Sequence, residues 1–248
     1  MCRYFLQLSF TGDNYHGWQV QNNARSVQQT LNTALSTILG EPILTTGAGR
    51  TDAGVHATEF YAHFNCETSA LALQIDKLLY RLNVLLPIDI AIQKIIPVAA
   101  TAHSRFDALS RTYNYVINRT KDPFQQQRAY YLHGNLDVAL MNEAAALLFE
   151  YTDFSCFSKS KTQVKTNNCT ITAAKWTEQH HNLVFSITAN RFLRNMVRAI
   201  VGTLIEVGKK QISLAQFKQI IEAKNRSNAG LSVPAHGLYL AKIEYHYL

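Results

Sequence analysis

Residues 47–57 read GAGRTDAGVHA, a stretch in which three glycines surround one arginine, one aspartate and one histidine. Glycine frees the backbone from the usual steric limits, so the stretch predicts a loop. Two threonines before it and alternating apolar positions after it predict a strand on each side. Loops held by a rigid sheet commonly carry catalytic groups, which makes Asp52 the first candidate. The alternative is a β-turn in which Asp52 bonds only its own backbone.

The segments around this loop alternate between strand and helix patterns. Ser26 and Gln29 have the spacing of a capping box, and Gly40 with Pro42 marks the end of the helix that follows. The predicted elements are a strand at 4–10, a helix at 26–40, strands at 43–46 and 57–65, a helix with an apolar face from Leu71 to Leu82, and a strand at 88–96. This order, β-α-β-β-α-β, is the ferredoxin-like arrangement.

The second part of the chain repeats that order with one extra helix. The predicted elements are a strand at 111–117, a helix capped by Asp137, a hairpin of strands at 171–177 and 183–189, a helix at 192–207, a helix at 213–223 begun by a capping box, and a strand at 238–245. The fold class is therefore α+β, with two ferredoxin-like halves. We expect domains at 1–104 and 105–248, with a functional cleft between them.

Basic charge is concentrated in the second of these parts. The chain carries 24 Lys and Arg against 17 Asp and Glu, a net charge of +7. Residues 1–104 hold 6 basic and 7 acidic residues, whereas residues 105–248 hold 18 and 10, a net charge of +8. Basic charge confined to one part of a chain is typical of a surface that binds a polyanion.

Several classes of protein lack their sequence signature here. No apolar run approaches the roughly 18 residues of a membrane span, and residues 1–4 do not resemble a signal peptide, so we expect a cytoplasmic protein. The four cysteines are scattered, and no zinc or metalloprotease spacing occurs. The loop has neither the dinucleotide nor the P-loop glycine spacing. We therefore predict neither a metal nor a cofactor, and chemistry by ordinary side chains.

Basic and aromatic residues of the second part are candidate partners of Asp52. On the predicted helix at 192–207, Arg194 and Arg198 are four residues apart and share a face with Gly202, which leaves room for another segment to approach. The alternative is arginines that extend along the helix edge into solvent. Tyr113 lies on a predicted strand, where it either packs or, beside a basic cleft, stacks on a nucleobase.

The motif RTDAGVHA at residues 50–57 resembles the signature of the tRNA pseudouridine synthase A family. Further blocks follow in the order of that family, over almost the whole chain. These blocks are Gly17-Trp18-Gln19, Ser26 to Gln28, Arg105-Phe106, Arg111 with Tyr113, Phe192 with Met196 to Arg198 and Val201-Gly202, and Gly237 to Leu240. Two positions depart from the family pattern: Val20 stands where arginine is frequent, and Ser104 where alanine is frequent.

The resemblance implies a pseudouridine synthase-type fold with a central basic cleft, a homodimer, and conversion of uridine to pseudouridine at positions 38, 39 and 40 in the anticodon stem-loop of tRNA. It implies that Asp52 is the nucleophile, that Tyr113 contacts the target base, and that Arg198 is the basic partner of Asp52. Attack at C1′, attack at C6 and assistance of glycal formation are all compatible with this aspartate. The further residues expected to contact substrate are Arg50, His56, Arg105 and Arg194.

Two other functions account for part of the pattern. A non-catalytic protein of two RRM-like halves explains the charge and the order of elements, but it needs no aspartate in the glycine loop and the RRM aromatic motif is absent. A second alternative is an enzyme that acts on phosphate esters and uses the loop to hold an anion, but the sequence lacks the carboxylates that would bind its metal. The function that the family resemblance implies, an isomerase that flips its target base out of the RNA, is the prediction.

Overall fold

The computed structural model describes residues 2–67, 74–159 and 166–248, which form two compact units. The first unit comprises Met1–Leu109 and Leu240–Leu248, and the second comprises Ser110–Tyr239. The described residues form five α-helices and nine β-strands, a mixed α/β composition. None of these helices has the length and apolar character that crossing a membrane requires.

The first unit contains six elements and most of a seventh. They are β1 (Cys2–Phe10), α1 (Val27–Leu39), β2 (Thr46–Gly47), β3 (His56–Cys66), α2 (Ile75–Leu85), β4 (Ile90–Val98) and the greater part of β9 (Leu238–Glu244). The strands lie in the order β4-β1-β3-β9, and β2 pairs with β3. The pairs β1–β3, β1–β4 and β2–β3 are antiparallel. The apolar faces of α1 and α2, predicted from their spacing, are buried at Leu31 and Leu35 and at Leu78 and Leu82.

The ends of α1 confirm the sequence signals. The Ser26 hydroxyl accepts a hydrogen bond from the Gln29 N–H at 3.2 Å, which satisfies a helix N–H that has no partner within the helix. Gly40 ends the helix in the left-handed region, with φ of 74°. Leu71, placed on the next helix by its spacing, lies outside the described residues, and α2 begins at Ile75.

The strand predicted at 43–46 is shorter in the structure and begins further along the chain, because within residues 43–47 only Thr46 and Gly47 pair with β3. Side chains of α1 bond the backbone ahead of it. The Ile43 N–H donates to the Ser36 hydroxyl at 2.8 Å, and the Thr45 N–H donates to Asn32 Oδ1 at 2.9 Å. Polar side chains have therefore replaced the ladder bonds of a longer strand.

The second unit is built around three long strands. Its elements are β5 (Ser110–Asn118), β6 (Tyr130–Tyr131), α3 (Val138–Leu147), β7 (Ile171–Gln179), β8 (Asn182–Ala189), α4 (Met196–Gly208) and α5 (Leu214–Glu222). The strand order is β5-β8-β7, with antiparallel pairing, and β6 adds to β5 in parallel. The predicted caps are confirmed: the Asp137 carboxylate accepts the Leu140 N–H, and Ser213 and Gln216 form a reciprocal capping box.

The helix predicted to begin at Phe192 begins four residues later, at Met196. Asn195 adopts the left-handed conformation with φ of 66°, and the Met196 N–H donates to the Leu193 carbonyl in a turn. A left-handed residue interrupts an α-helix, so residues 192–195 cannot continue α4 toward the N-terminus. Arg194 therefore lies outside the helix, and the prediction that it shares a helix face with Arg198 is wrong.

The last residues of the chain belong to the first unit, whereas the sequence-based division grouped them with residues 105–239. The Leu109 N–H donates to the Glu244 carbonyl at 2.8 Å, and the Ile243 N–H donates to the Glu59 carboxylate at 2.9 Å. The Tyr245 hydroxyl donates to the Ser104 carbonyl. These bonds join residues that are far apart in sequence, which local patterns do not reveal.

Candidate active site

Asp52 lies at the first position of a tight turn between β2 and β3. Its carbonyl accepts the Val55 N–H at 3.2 Å, and Gly54, at the third position, has φ of 77°. A positive φ at that position is characteristic of a type II turn and favours glycine. The predicted loop between two strands is confirmed, and Asp52 is half-buried within it.

A second glycine-containing segment, residues 12–19, lies against this turn. The Gly54 N–H donates to the Tyr15 carbonyl at 3.4 Å. A Cβ at Gly17 would lie 2.2 Å from the Thr51 carbonyl oxygen, and one at Gly12 would lie 2.3 Å from the Val55 carbonyl oxygen. Two backbones thus approach as closely as glycine allows. We call residues 12–19 the cradle of the Asp52 turn.

Trp18 fills the space beneath the entry to the loop. Its side chain is 1% exposed, and its ring stacks on Phe60 with 4.3 Å between centroids. A Cβ at Gly47 would lie 2.4 Å from the Trp18 indole nitrogen, so Gly47 is the residue that allows this contact. Aromatic packing therefore fixes the point at which β2 enters the loop.

Gln28 connects the cradle to the strand that precedes the loop. Its amide donates to the Thr45 carbonyl at 2.6 Å, and its carbonyl oxygen accepts the Val20 N–H at 3.0 Å and the Gln19 side-chain amide at 2.9 Å. The Val20 side chain is 42% exposed. The replacement of the family's frequent arginine by Val20 therefore changes an exposed side chain. The position of the backbone is held by the hydrogen bond from the Val20 N–H to Gln28.

His56 has a structural position at the exit of the loop. Its side chain is 1% exposed, and its Nδ1 accepts the Gly12 N–H at 3.0 Å. An accepting Nδ1 leaves the proton of the neutral ring on Nε2, which lies 4.0 Å from Asp13 Oδ1. This burial opposes the predicted contact with substrate and indicates that His56 joins β3 to the cradle.

A buried polar cluster lies at the other end of the loop, where β2 begins. The Ser104 hydroxyl donates to the Thr46 carbonyl at 2.8 Å and lies 2.9 Å from His63 Nδ1. An alanine at 104 would leave that carbonyl without this donor, so the departure at Ser104 adds a bond behind the loop. Burial, the neighbouring His103 and Arg3 lower the pKa of His63 to about 4.

This pKa predicts a pH-dependent stability. Between about pH 6.5 and pH 4 the unfolded chain binds a proton at residue 63 and the folded chain does not, so stability is lost as the pH falls through this range. We expect the free energy of unfolding to fall by on the order of 2 kcal/mol relative to the variant His63→Gln. Urea denaturation of both proteins from pH 7.5 to pH 4 measures the difference, and parallel curves would contradict the assignment.

The two candidate arginines of the first unit, Arg50 and Arg105, are exposed. Arg50 lies in the loop, two residues before Asp52, and Arg105 follows the buried Ser104. The guanidinium carbon of Arg105 lies 5.6 Å from the ring centre of Phe106, which is 74% exposed. The backbone N–H groups of both residues donate to His103 Nδ1, which fixes the chain at this point.

Tyr113 and Arg198 belong to the second unit, on β5 and α4. The Tyr113 ring packs edge to face against Phe192, with 5.1 Å between centroids and an interplanar angle of 88°. Arg198 Nε donates to the Val233 carbonyl at 2.7 Å, and the Arg198 carbonyl accepts the Val233 N–H at 3.2 Å. Neighbouring residues therefore orient both half-buried side chains.

The structure thus places Arg50 and Asp52 in one loop and His56 at the first position of β3, with Arg105 elsewhere in the first unit. Arg194 is exposed in the turn before α4 and is not a helix neighbour of Arg198. The sequence predicts no structural role for Gly12, Gly17, Trp18 or Gln28, although two glycines punctuate residues 12–19. Within the described ranges, no three His, Cys, Asp or Glu residues form a group that could hold a metal.

Comparison with known proteins identifies the family that this chain resembles. Residues 144–246 match the model of a family described as tRNA pseudouridine synthase. Similar proteins named tRNA pseudouridine synthase A come from Porphyromonas gingivalis, 54% identical over 99% of this chain and 98% of the relative, and from Bacteroides fragilis, 51% identical over 98% and 96%. A Francisella tularensis protein of that name is 39% identical over 99% and 95%.

These matches define the class: a pseudouridine synthase, which is an isomerase. Within it, the chain belongs to the tRNA pseudouridine synthase A family, with similarity that extends over nearly its full length. The family resemblance inferred from the motif around Asp52 is thereby confirmed.

Proposed function

We propose that this protein converts uridine to pseudouridine at positions 38, 39 and 40 in the anticodon stem-loop of tRNA. One observation carries the proposal beyond family membership: the only carboxylate of the RTDAGVHA motif lies at the head of a turn that is locked against the cradle. A reacting carboxylate needs such a fixed position, since misplacement by about 1 Å costs on the order of 10²-fold in rate.

The reaction breaks the C1′–N1 bond of uridine, turns the uracil and forms a C1′–C5 bond. The C5 proton leaves and N1 gains a proton, so atoms and electrons balance without a redox cofactor or ATP. Asp52 acts as the nucleophile, a role that carboxylates fill in covalent catalysis. Metals and cofactors have no part in this proposal.

Tyr113 and Arg198 complete the site in our proposal, together with Asp52. A base stacked in an RNA duplex is out of reach, and flipping it costs a few kcal/mol. Stacking on the Tyr113 ring, which packs at a right angle to the Phe192 ring, recovers about 1–3 kcal/mol. Arg198 orients the Asp52 carboxylate through charge-assisted hydrogen bonds.

RNA contacts are assigned to the exposed arginines Arg50, Arg105 and Arg194, and the excess positive charge of residues 105–248 supports a polyanion-binding surface. For His56 we propose a positioning role instead of a contact. We also propose two ferredoxin-like halves with a central basic cleft, supported by the antiparallel pairs β4–β1, β1–β3 and β3–β2 of the first unit. A cytoplasmic homodimer completes the proposal, and a single-protomer mass in sedimentation equilibrium would contradict the dimer.

Release of tritium from tRNA that carries [5-³H]uridine tests the proposal. We expect release from a tRNA with uridines at positions 38–40 and none from the same tRNA with cytidines there. Absence of release from every tRNA with uridine in its anticodon arm would favour a non-catalytic RNA-binding protein. Release that persists after replacement of these uridines would contradict the proposed positions.

The cradle provides a prediction with an internal control. Gly17→Ala places a Cβ 2.2 Å from the Thr51 oxygen at a positive φ, whereas a Cβ at Gly49 would have none of the described atoms within 4 Å apart from those of its chain neighbours. We expect Gly17→Ala to displace the turn and slow single-turnover tritium release by on the order of 10²-fold, and Gly49→Ala to change it less than about threefold. Equal effects of the two substitutions would show that the cradle does not position Asp52.

A further inference from the structure

Residues 229–234 form a segment, here called the strap, that crosses α4 at Gly202. A Cβ at Gly202 would lie 1.8 Å from the Leu231 carbonyl oxygen, so only glycine allows the strap to lie this close. The sequence predicts that Gly202 makes room for another segment, and the strap is that segment. This close approach therefore fixes the distance between the backbone of the strap and α4.

Arg226 fastens the beginning of the strap. Its Nη1 donates to the carbonyls of Ala229 at 3.2 Å and Gly230 at 3.1 Å, and its Nη2 donates to the Ser232 hydroxyl at 2.8 Å. One half-buried guanidinium thus bonds three successive parts of the strap, as its planar fork of donors permits. Arg226 is not among the residues to which the proposed reaction assigns a role.

Helix α4 and β5 hold the strap as well. The Gly230 N–H donates to the Thr203 hydroxyl at 3.0 Å, and the Tyr115 hydroxyl donates to the Pro234 carbonyl at 2.9 Å. Asn195 Nδ2 bonds the same Ser232 hydroxyl that Arg226 bonds. Ser232 is therefore linked both to Arg226 and to the turn from which α4 starts.

The strap bonds Arg198 directly, one residue after Ser232. The Val233 carbonyl accepts Arg198 Nε at 2.7 Å, and the Val233 N–H donates to the Arg198 carbonyl at 3.2 Å. Because a guanidinium is planar, a bond at Nε fixes both its position and the plane that contains its terminal nitrogens. Movement of the strap would therefore move the guanidinium of Arg198.

We propose that Arg226 is a positioning residue for the isomerisation: it holds the strap so that the Val233 carbonyl sets the guanidinium plane of Arg198. This inference rests on the proposed role of Arg198. Active groups must be held within about 0.5 Å of their productive geometry by surrounding hydrogen bonds. Arg226 supplies that support without touching the substrate.

The test compares Arg226→Met with Lys224→Met, which removes the same charge two residues away. We expect Arg226→Met to lower the single-turnover rate at saturating enzyme at least tenfold, with the Kd for tRNA within about threefold. Lys224→Met should leave that rate unchanged, and Arg226→Lys should recover part of it. If thermal denaturation shows Arg226→Met unfolded at the assay temperature, Ser232→Ala replaces it, with the same expected split between rate and Kd.

A double-mutant cycle distinguishes this role from a merely structural one. In an Arg198→Lys background, which lacks the Nε donor, Arg226→Met should cause no further loss of rate. The same fractional loss in both backgrounds, or a wild-type rate for Arg226→Met, would overturn the inference. A wild-type rate for Arg198→Lys and for Arg198→Met would instead overturn the proposed role of Arg198, and the inference with it.

Discussion

Asp52→Asn is expected to abolish tritium release from anticodon-arm uridines, with a loss of single-turnover rate on the order of 10⁴-fold or more. Losses of this size follow removal of a nucleophile from an otherwise intact site. The substitution replaces the carboxyl group of residue 52 by an uncharged amide of nearly the same shape. The turn should persist, because its bond runs from the Val55 N–H to the backbone carbonyl of residue 52.

Two comparisons sharpen this experiment. Asp76→Asn removes an exposed carboxylate from the first turn of α2 and should leave the rate unchanged. Asp52→Glu keeps the charge but moves it by one methylene, and we expect a loss on the order of 10²-fold, because the cradle prevents the backbone from compensating. Near wild-type release by Asp52→Asn, with an unchanged Tm, would eliminate the nucleophile assignment.

The position of Asp52 was predictable from sequence because its signals are local. Glycine spacing, the alternating pattern of residues 57–65 and the helix caps at Ser26 and Gly40 are each signals that extend over only a few residues. Such signals specify a loop between two strands and identify its carboxylate. The family motif then assigns the chemistry.

What holds Asp52 in place was not predictable, because it depends on contacts between distant segments. Gly17 is required by the carbonyl of Thr51, and Gly12 by the carbonyl of Val55. A glycine in sequence shows only that a special conformation or a close approach is permitted, and not which backbone approaches. The burial of His56 is likewise a consequence of the Gly12 contact.

The two incorrect element boundaries have a related cause. Apolar periodicity extends from Phe192 into α4, but the left-handed Asn195 interrupts the helix where the pattern continues. The residues before Thr46 have the sequence pattern of a strand, but the side chains of Asn32 and Ser36 accept the backbone N–H groups of Thr45 and Ile43. In both places a local conformation or a side-chain bond overrides the hydrophobic pattern.

Arg198→Met is expected to lower the single-turnover rate roughly 10²-fold or more, while the Kd for tRNA changes by less than about threefold. Removal of one preorganised donor from an active site commonly costs 10²–10³-fold in rate. Arg198 is half-buried on α4, and its Nε is bonded to the Val233 carbonyl, so its guanidinium has a fixed orientation. A side chain held in this way suits the orientation of a carboxylate better than the binding of a flexible RNA backbone.

Arg194→Met is the matched control, and the structure predicts the opposite result for it. Arg194 is exposed and precedes α4, where it suits a phosphate contact. We expect it to weaken tRNA binding and to reduce the salt dependence of log Kd by about one unit, as loss of one phosphate contact does. Its rate at saturating enzyme should remain near that of the wild type. If both substitutions reduced only the affinity for tRNA, Arg198 would be an RNA contact and Asp52 would need another partner. A loss of rate that is confined to Arg198→Met would instead show that Arg198 orients the nucleophile and that Arg194 holds the substrate.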